Sequence, residues 1–467
     1  MKGLALLSAV AGLGAVMASP TPSKDSPPSK RASLPAVSAS GNEHTDDILN
    51  SVAFWADGKR FYLRGIDYQP GGAAANEDPL ADPKTCLRDI KNFQDLGVNT
   101  IRVYAVDNSK DHDQCMNALA DAGIYLVLDV NNPGYSINRL KPGPSYNTMY
   151  LQSVFATVEM FAKYDNTLAF FSGNEVINDE PGTDKSAPYV KAVTRDMKNY
   201  INSRGLRKVP VGYSAADVSS NRMQTAMYMN CGSDDERSDF FAFNDYSWCN
   251  SDFKTSGWDQ KVKNFTDYGI PIFLSEWGCI KNRPRKFEEL SALMSSQMSS
   301  VYSGGIMYEY SKEDNDYGIV TINGDSISKS DEYSLFKSAL ADNPTPTGSG
   351  GAASSSHAAK CPPKDSTWNV DPSLIPEMPE AANKFMKKGA GSGPGLGGDG
   401  SQNAADSGTA TASVTGGTAS PTSTSGSASE TESDSAAGSF SHSPLDKAPF
   451  IVSGLTLAFT LFGTLLL

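Results

Sequence analysis

The sequence predicts an α/β fold: a (β/α)8 TIM barrel with a short disulfide-tethered C-terminal extension. Three observations predict it. Eight short apolar runs are spread between Phe61 and Tyr308, helical patterns lie between them, and polar, acidic or aromatic residues close the runs. Strands that alternate with helices argue for a parallel sheet. Runs apolar throughout argue for strands covered on both faces. Eight such units in roughly 300 residues match the size of a barrel with modest insertions. The competing arrangement is an open doubly wound sheet, but no G-x-G-x-x-G follows the first strand.

The strand candidates, in order, are Phe61–Ile66, Thr100–Tyr104, Ile124–Asp129, Leu168–Phe171, Val209–Gly212, Phe240–Phe243, Pro271–Leu274 and Gly305–Tyr308. Between the first two, Leu87, Ile90, Phe93 and Leu96 recur at helical spacing and stop at Gly97, a natural C′ residue. Val154, Val158 and Phe161 mark another helix. Pro188 opens a third, with Val190, Val193, Met197 and Ile201 on one stripe and Gly205 after it.

The flanks differ in composition. Residues 1–18 read as a secretory signal: Lys2, an apolar stretch, then the small-residue cleavage site Val16-Met-Ala18. A membrane anchor would be longer and less rich in Gly and Ala. Residues 19–45 are Ser/Pro-rich and expected to be flexible. The barrel is expected over 46–345, and a linker with an extension around Cys361 over 346–388. Residues 389–442 are Gly, Ser, Thr and Ala, and read as a disordered, O-glycosylated stalk. The small residues Ser435-Ala-Ala-Gly438, a polar spacer and the apolar tail Phe450–Leu467 form the pattern of a glycolipid (GPI) anchor signal over 443–467, removed on maturation. The competing reading is a tail-anchored helix.

Six cysteines, Cys86, Cys115, Cys231, Cys249, Cys279 and Cys361, are widely spaced and none forms C-x-x-C, which argues for disulfides and against a zinc site. Fifteen pairings are formally open. Proximity favours Cys86–Cys115 and Cys249–Cys279, which leaves Cys231–Cys361. The formal charge of −13 argues against a nucleic-acid partner. One sequon, Asn264-Phe-Thr266, is either a surface glycan site or an unused match.

A barrel of this kind builds its active site at the C-terminal strand ends. Those ends supply Asp67-Tyr68-Gln69, Arg102 with Tyr104, Asp129, Asn174-Glu175, Ser214 to Asp217, Asn244-Asp245-Tyr246, Glu276-Trp277 and Tyr308-Glu309-Tyr310. Aromatic faces beside carboxylates and amides suit a sugar. Glu175 and Glu276 close the fourth and seventh runs and form a retaining glycosidase-type pair. Glu175 is assigned as acid/base and Glu276 as nucleophile, with Arg102 as a fixed charge beside Glu276 and Asn174 placed to bond a sugar 2-hydroxyl. The blander readings are first-turn or ion-pairing glutamates, core tyrosines at Tyr104, Tyr246 and Tyr308, a strand-end cap at Asp129 and a structural ion pair at Arg102. Of four histidines only His112 lies well inside the domain, and between Asp111 and Asp113 it reads as a solvated helix start. A Ser-His-Asp hydrolase and a zinc hydrolase are therefore poorly supported. No Walker-type loop appears, and neither cofactor nor metal is expected.

Arg64-Gly-Ile-Asp-Tyr-Gln-Pro-Gly-Gly72, Ile101-Arg-Val-Tyr104, Gly173-Asn-Glu175, Asn244-Asp-Tyr-Ser-Trp-Cys249, Ser275-Glu-Trp-Gly-Cys279 and Tyr308-Glu-Tyr-Ser311 resemble the fungal cell-wall β-1,3-glucanosyltransferases, family 72 of the glycoside hydrolases. The resemblance covers about 46–388, with all six cysteines. It implies an enzyme that cleaves an internal β-1,3-glucan linkage and passes the new reducing end to the non-reducing end of another chain, elongating wall glucan. It implies the same roles for Glu175 and Glu276, and sugar contacts at Gln69, Tyr104, Asp129, Asn174, Tyr246 and Tyr308. It implies disulfides Cys86–Cys115, Cys231–Cys361 and Cys249–Cys279. The expected partners are glucan donor and acceptor chains and, through the GPI lipid, the outer leaflet of the plasma membrane; a monomer at the cell surface or wall is expected. No cysteine follows Cys361, so the cysteine-rich carbohydrate-binding module of some members is not expected. A retaining hydrolase of the same fold and a silent glucan-binding wall protein are the alternatives.

Overall fold

The structure, a computed structural model, describes residues 34–39 and 52–402. The expected signal at 1–18, the anchor signal at 443–467 and the stalk beyond 402 lie outside the described residues.

Three short strands, β1 (Val37–Ala39), β2 (Phe54–Ala56) and β3 (Lys59–Phe61), form an antiparallel sheet in that order. The stretch 19–45 was expected to be flexible, but its Val37–Ala39 pairs with β2. Phe54 of β2 lies 5.7 Å from both Phe240 and Phe273, in a cluster with Val37, Leu63, Phe171 and Ile306 that fills the barrel interior at the strand starts. The sheet is a plug, and burial of Val37 and Phe54 ties it down.

The barrel follows. Its strands are β4 (Leu63–Asp67), β5 (Thr100–Val103), β6 (Tyr125–Asp129), β7 (Thr167–Asn174), β8 (Val211–Ala216), β9 (Phe240–Asp245), β10 (Ile272–Trp277) and β11 (Tyr302–Met307). All neighbours are parallel and β11 pairs β4, which closes the eight-stranded barrel. Each expected run overlaps one barrel strand, and the first also takes in Phe61 of β3. The fifth begins later than expected, at Val211, because Pro210 has no N–H to give to a ladder.

Ten α-helices are described: α1 (Pro83–Leu96), α2 (Asp113–Asp121), α3 (Pro142–Ser145), α4 (Thr148–Phe161), α5 (Ala187–Ser203), α6 (Arg222–Met229), α7 (Trp258–Phe265), α8 (Glu289–Leu293), α9 (Asp331–Asp342) and α10 (Asn383–Lys388). A hairpin, β12 (Val320–Asn323) with β13 (Ser326–Lys329), precedes α9. Asp82 caps α1 by accepting from Lys84 N, and Gly97 ends it at φ 80°, as the spacing predicts. Asn147 caps α4 through Met149 N and Tyr150 N. None of the described helices is long and apolar enough to cross a membrane. His112 does stand just ahead of α2, but it is buried rather than solvated: its Nε2 is 2.7 Å from Asp78 Oδ2 and its ring packs on Phe161.

Three disulfides form, Cys86–Cys115, Cys231–Cys361 and Cys249–Cys279. The second holds the extension against the barrel, where Trp368 is fully buried against Tyr228 of α6. A free stalk was expected from 389, yet residues 389–402 continue along the barrel wall. Ala390 N donates to Tyr200 Oη (2.8 Å) and Gly395 N to Asn108 Oδ1 (2.9 Å). The Leu396 carbonyl accepts from Asn76 Nδ2 (2.9 Å) and the Ser401 carbonyl from Asn147 Nδ2 (3.1 Å).

Candidate active site

The C-terminal strand ends gather two hydrogen-bonded sets of polar side chains, one on Glu276 and one on Glu175, which meet at Ser275. β7 shifts register between Phe171 and Asn174, and β10 between Leu274 and Glu276. Such irregularities re-aim the side chains that follow them. Glu175 leaves β7 in the left-handed region, φ 48°, with its N–H donating to Ser214 O at 2.9 Å. Glu276 is opposite Asn244 in the register of β10 with β9.

Glu276 is 7% exposed and receives three donors. Arg102 Nη1 (3.0 Å) and Tyr104 Oη (2.8 Å) donate to Oε1, and Tyr246 Oη (2.6 Å) donates to Oε2. Burial, with neighbouring acid charge, holds the Tyr104 and Tyr246 hydroxyls well above the usual phenol range, so both remain donors. The Arg102 guanidinium also forks onto Asp129, Nε to Oδ2 at 2.8 Å and Nη2 to Oδ1 at 3.2 Å. Its plane lies over the Tyr104 and Phe171 rings. A cation this deep is stable because it is paired on two sides.

Glu175 has a different environment. Its Oε1 accepts one hydrogen bond, from Asn244 Nδ2 at 2.9 Å. The same amide donates to Asn174 Oδ1 (3.1 Å), and Ser214 Oγ donates to Asn174 Oδ1 (2.7 Å). Burial, reinforced by the nearby Glu276 charge, pushes the Glu175 carboxyl up to about 7. One glutamate is thus braced by a guanidinium and two phenols, while the other is held near neutrality. That contrast is the one needed to separate an acid from a nucleophile.

The mouth is aromatic. Tyr246, Tyr308 and Tyr317 pack edge to face with centroids 5.2–6.1 Å apart. Arg285 Nη1 holds the Tyr308 carbonyl at 2.8 Å, and its Nε pairs with Glu332 at 2.8 Å. The Cys249–Cys279 bridge ties the loop after Tyr246 to the loop after Glu276. Next to Tyr308, burial lifts the Glu309 carboxyl to about 8.

The family model described as glucanosyltransferase matches residues 36–343. The chain belongs to this family, family 72 of the glycoside hydrolases. Among this glucanosyltransferase's relatives, the 1,3-beta-glucanosyltransferase gel1 of Aspergillus fumigatus is 60% identical over 359 residues, 76% of this chain and 79% of that protein. The 1,3-beta-glucanosyltransferase GAS5 of Saccharomyces cerevisiae is 49% identical over 373 residues, 78% of this chain and 77% of that one. A solved structure of Saccharomyces cerevisiae Gas2p, a glutamate-to-glutamine variant in complex with laminaritetraose and laminaripentaose, has a TM-score of 0.67 at 37% identity, covering 75% of this chain and 76% of its own.

Of the residues that the sequence proposes for this glucanosyltransferase site, Glu276, Arg102, Tyr104, Asp129 and Tyr246 share one hydrogen-bonded set and Glu175 and Asn174 another, and the two sets meet at Ser275. Tyr308 stands beside the first in the aromatic mouth. Gln69 is buried and bound to backbone at both ends, Oε1 to Tyr104 N and Ala105 N (3.1 Å each) and Nε2 to Glu77 O (2.8 Å). Here it fixes the loop after β4 against the loop after β5. Asn264 is exposed on α7. Three members lacked a proposed role: Asn244, the partner of Glu175; Asp67, beside Tyr104; and Tyr317. Asn244 and Asp67 are legible only as polar residues closing an apolar run. Tyr317 comes from the loop before β12 and carries no sequence signal.

Proposed function

We propose that the chain is a cell-surface β-1,3-glucanosyltransferase acting by retaining double displacement. The observation that supports it most is the division of environment between Glu175, near neutrality, and Glu276, braced by Arg102, Tyr104 and Tyr246. Protonated Glu175 gives its proton to the leaving oxygen as Glu276 attacks the anomeric carbon. Oε1 of Glu276, held by two donors, becomes the ester carbonyl, and Oε2 forms the bond to carbon. Ionised Glu175 then takes the proton from an incoming glucan hydroxyl, the sugar–oxygen bond to Glu276 breaks, and the new linkage forms with retained configuration. Tyr246, Tyr308 and Tyr317 offer faces for stacking on sugar rings, and Asn174 and Asp129 polar contacts. The β-1,3-glucan substrate rests on the relatives, which are 1,3-beta-glucanosyltransferases, and on the laminari-oligosaccharides bound to Gas2p.

The deciding assay is product analysis on a reduced laminari-oligosaccharide. Products longer than the substrate are expected; shorter products alone would make the protein a hydrolase that releases the glycosyl-enzyme to water. The sequence patterns of a signal at 1–18 and an anchor signal at 443–467 support a mature enzyme on the outer membrane leaflet or in the wall. Release of the native protein from cells by a phosphatidylinositol-specific phospholipase is the check.

A further inference from the structure

The buried set around Arg102 holds one cation and three carboxyl groups, Asp67, Asp129 and Glu276. Arg102 and Asp67 are fully buried, Asp129 is 4% exposed and Glu276 7%. With all three acids ionised the cluster would hold two uncompensated negative charges away from water, which is costly. One of the acids is therefore the natural holder of a proton. The donors decide which. Asp129 has two guanidinium N–H bonds, and Glu276 has one guanidinium and two phenol donors. Asp67 has no cation within hydrogen-bonding distance, since Arg102 Nη1 is 3.9 Å away. Its Oδ2 is buried without a partner, and its Oδ1 touches only the Tyr104 hydroxyl, at 3.0 Å.

That hydroxyl has a single proton and two carboxyl neighbours, Glu276 Oε1 at 2.8 Å and Asp67 Oδ1 at 3.0 Å. It can donate to only one of them. We infer that Asp67 is a positioning residue that acts as a neutral acid: it donates its own proton to Tyr104 Oη and so commits the Tyr104 proton to Glu276 Oε1. The groups facing Asp67 agree with this. Arg102 comes from β5 and Tyr104 from just after it, Glu276 from β10 and Glu309 from beyond β11, and Tyr246 and Tyr308 face it from the mouth. Burial is the largest influence on Asp67 and holds its carboxyl well above the usual range, with the Glu276 charge adding to it and Arg102 opposing it. Burial lifts Asp129 as well, but its two guanidinium bonds work against that.

The inference rests on Glu276 as nucleophile. No proton leaves Asp67 during the reaction. When the Glu276 Oε2–carbon bond forms and the old glycosidic bond breaks, the leaving oxygen takes its proton from Glu175. When the bond to Oε2 breaks again, the electron pair returns to the Glu276 carboxylate, and Tyr104 is already aimed at Oε1 to receive that charge. A fixed donor of this kind favours the transition state over the bound sugar, so its loss lowers kcat and leaves KM little changed.

The test is a cycle of Asp67→Ala, Asp67→Asn and Tyr104→Phe, with kcat and KM for a laminari-oligosaccharide measured on each. Asp67→Ala is expected to lower kcat about tenfold or more with KM within about twofold. Asp67→Asn, which keeps a neutral donor, is expected to restore kcat to within about threefold of the parent. In the Tyr104→Phe background, Asp67→Ala is expected to add less than about a twofold loss, because the two residues act through one bond. The inference is overturned if Asp67→Asn falls as far as Asp67→Ala, since Asp67 would then act as an anion, or if the Asp67→Ala and Tyr104→Phe losses multiply. Should Asp67→Ala fail to fold, Asp67→Asn alone decides: a tenfold loss overturns the inference. A fully active Glu276→Gln in the same assay would instead remove the nucleophile assignment on which it rests.

Discussion

Glu175 is one of only a few non-glycine residues in the left-handed backbone region among those described. That conformation costs on the order of 1–3 kcal/mol and persists where the surroundings impose it. Here the N–H bond to Ser214 O and the single Asn244 contact hold the residue, and burial favours its neutral form. A carboxyl raised from 4.5 to about 7 contributes stability that is intact below about 4.5 and is lost as pH rises through about 7. Glu175→Gln should therefore melt above the parent at pH 8 (about one unit past the folded value) and close to it at pH 4. With Glu175 as the proposed acid, transfer should decline as pH rises through about 7, because only its protonated form can give a proton to the leaving oxygen. Glu175→Gln should lower kcat by about 10²–10⁴, and Glu276→Gln should abolish transfer while the fold survives, both read from steady-state kinetics with circular dichroism as control. The two glutamates were legible because each closes an apolar run. Asn244 and Asp67 were not singled out, since a polar residue at a strand end is common and its partners come from other strands.

At the level of elements, the alternation of apolar runs and helical stripes was enough to place eight strands, because strands buried on both faces leave few polar residues to blur the pattern. The strap at 389–402 was missed for the opposite reason. Its Gly-rich composition resembles a stalk, yet at several of its glycines the backbone packs directly on the barrel. A Cβ at Gly393 would collide with the Asn108 side chain, and one at Gly395, held at φ 67°, would come within 2.6 Å of Asp107 Oδ1. The strap bonds to the loops after β4, β5 and β6 through Asn76, Asn108 and Gly134, so it braces the rim near the site. Gly393→Ala should cost about 1–3 kcal/mol, or release the strap locally if that costs less. Hydrogen exchange would separate this from a free stalk, in which the substitution changes nothing. Faster exchange at residues 389–402 is the expected result.

For the molecule as a whole, two of the three disulfides make contrasting demands. Cys231–Cys361 spans 130 residues and fastens the extension to the outer helices, through Trp368 on Tyr228 and the Arg195 bond to the Pro376 carbonyl at 2.8 Å. None of these contacts reaches the strand ends. Cys249–Cys279 spans only 30 residues, but it joins the loops that follow Tyr246 and Glu276. Loop-closure entropy favours the longer bridge as the larger contributor to stability. Replacing Cys231 and Cys361 together by serine should cost about 2–5 kcal/mol, seen as a lower denaturant midpoint, while kcat of the folded protein stays at the parent value. Replacing Cys249 and Cys279 should cost less stability and more catalysis, because the Tyr246 donor is freed to drift from Glu276 Oε2. A matched fall of kcat in both double variants would show that the extension also shapes the site, and an unchanged kcat in the second would show that Tyr246 is held by its aromatic neighbours alone.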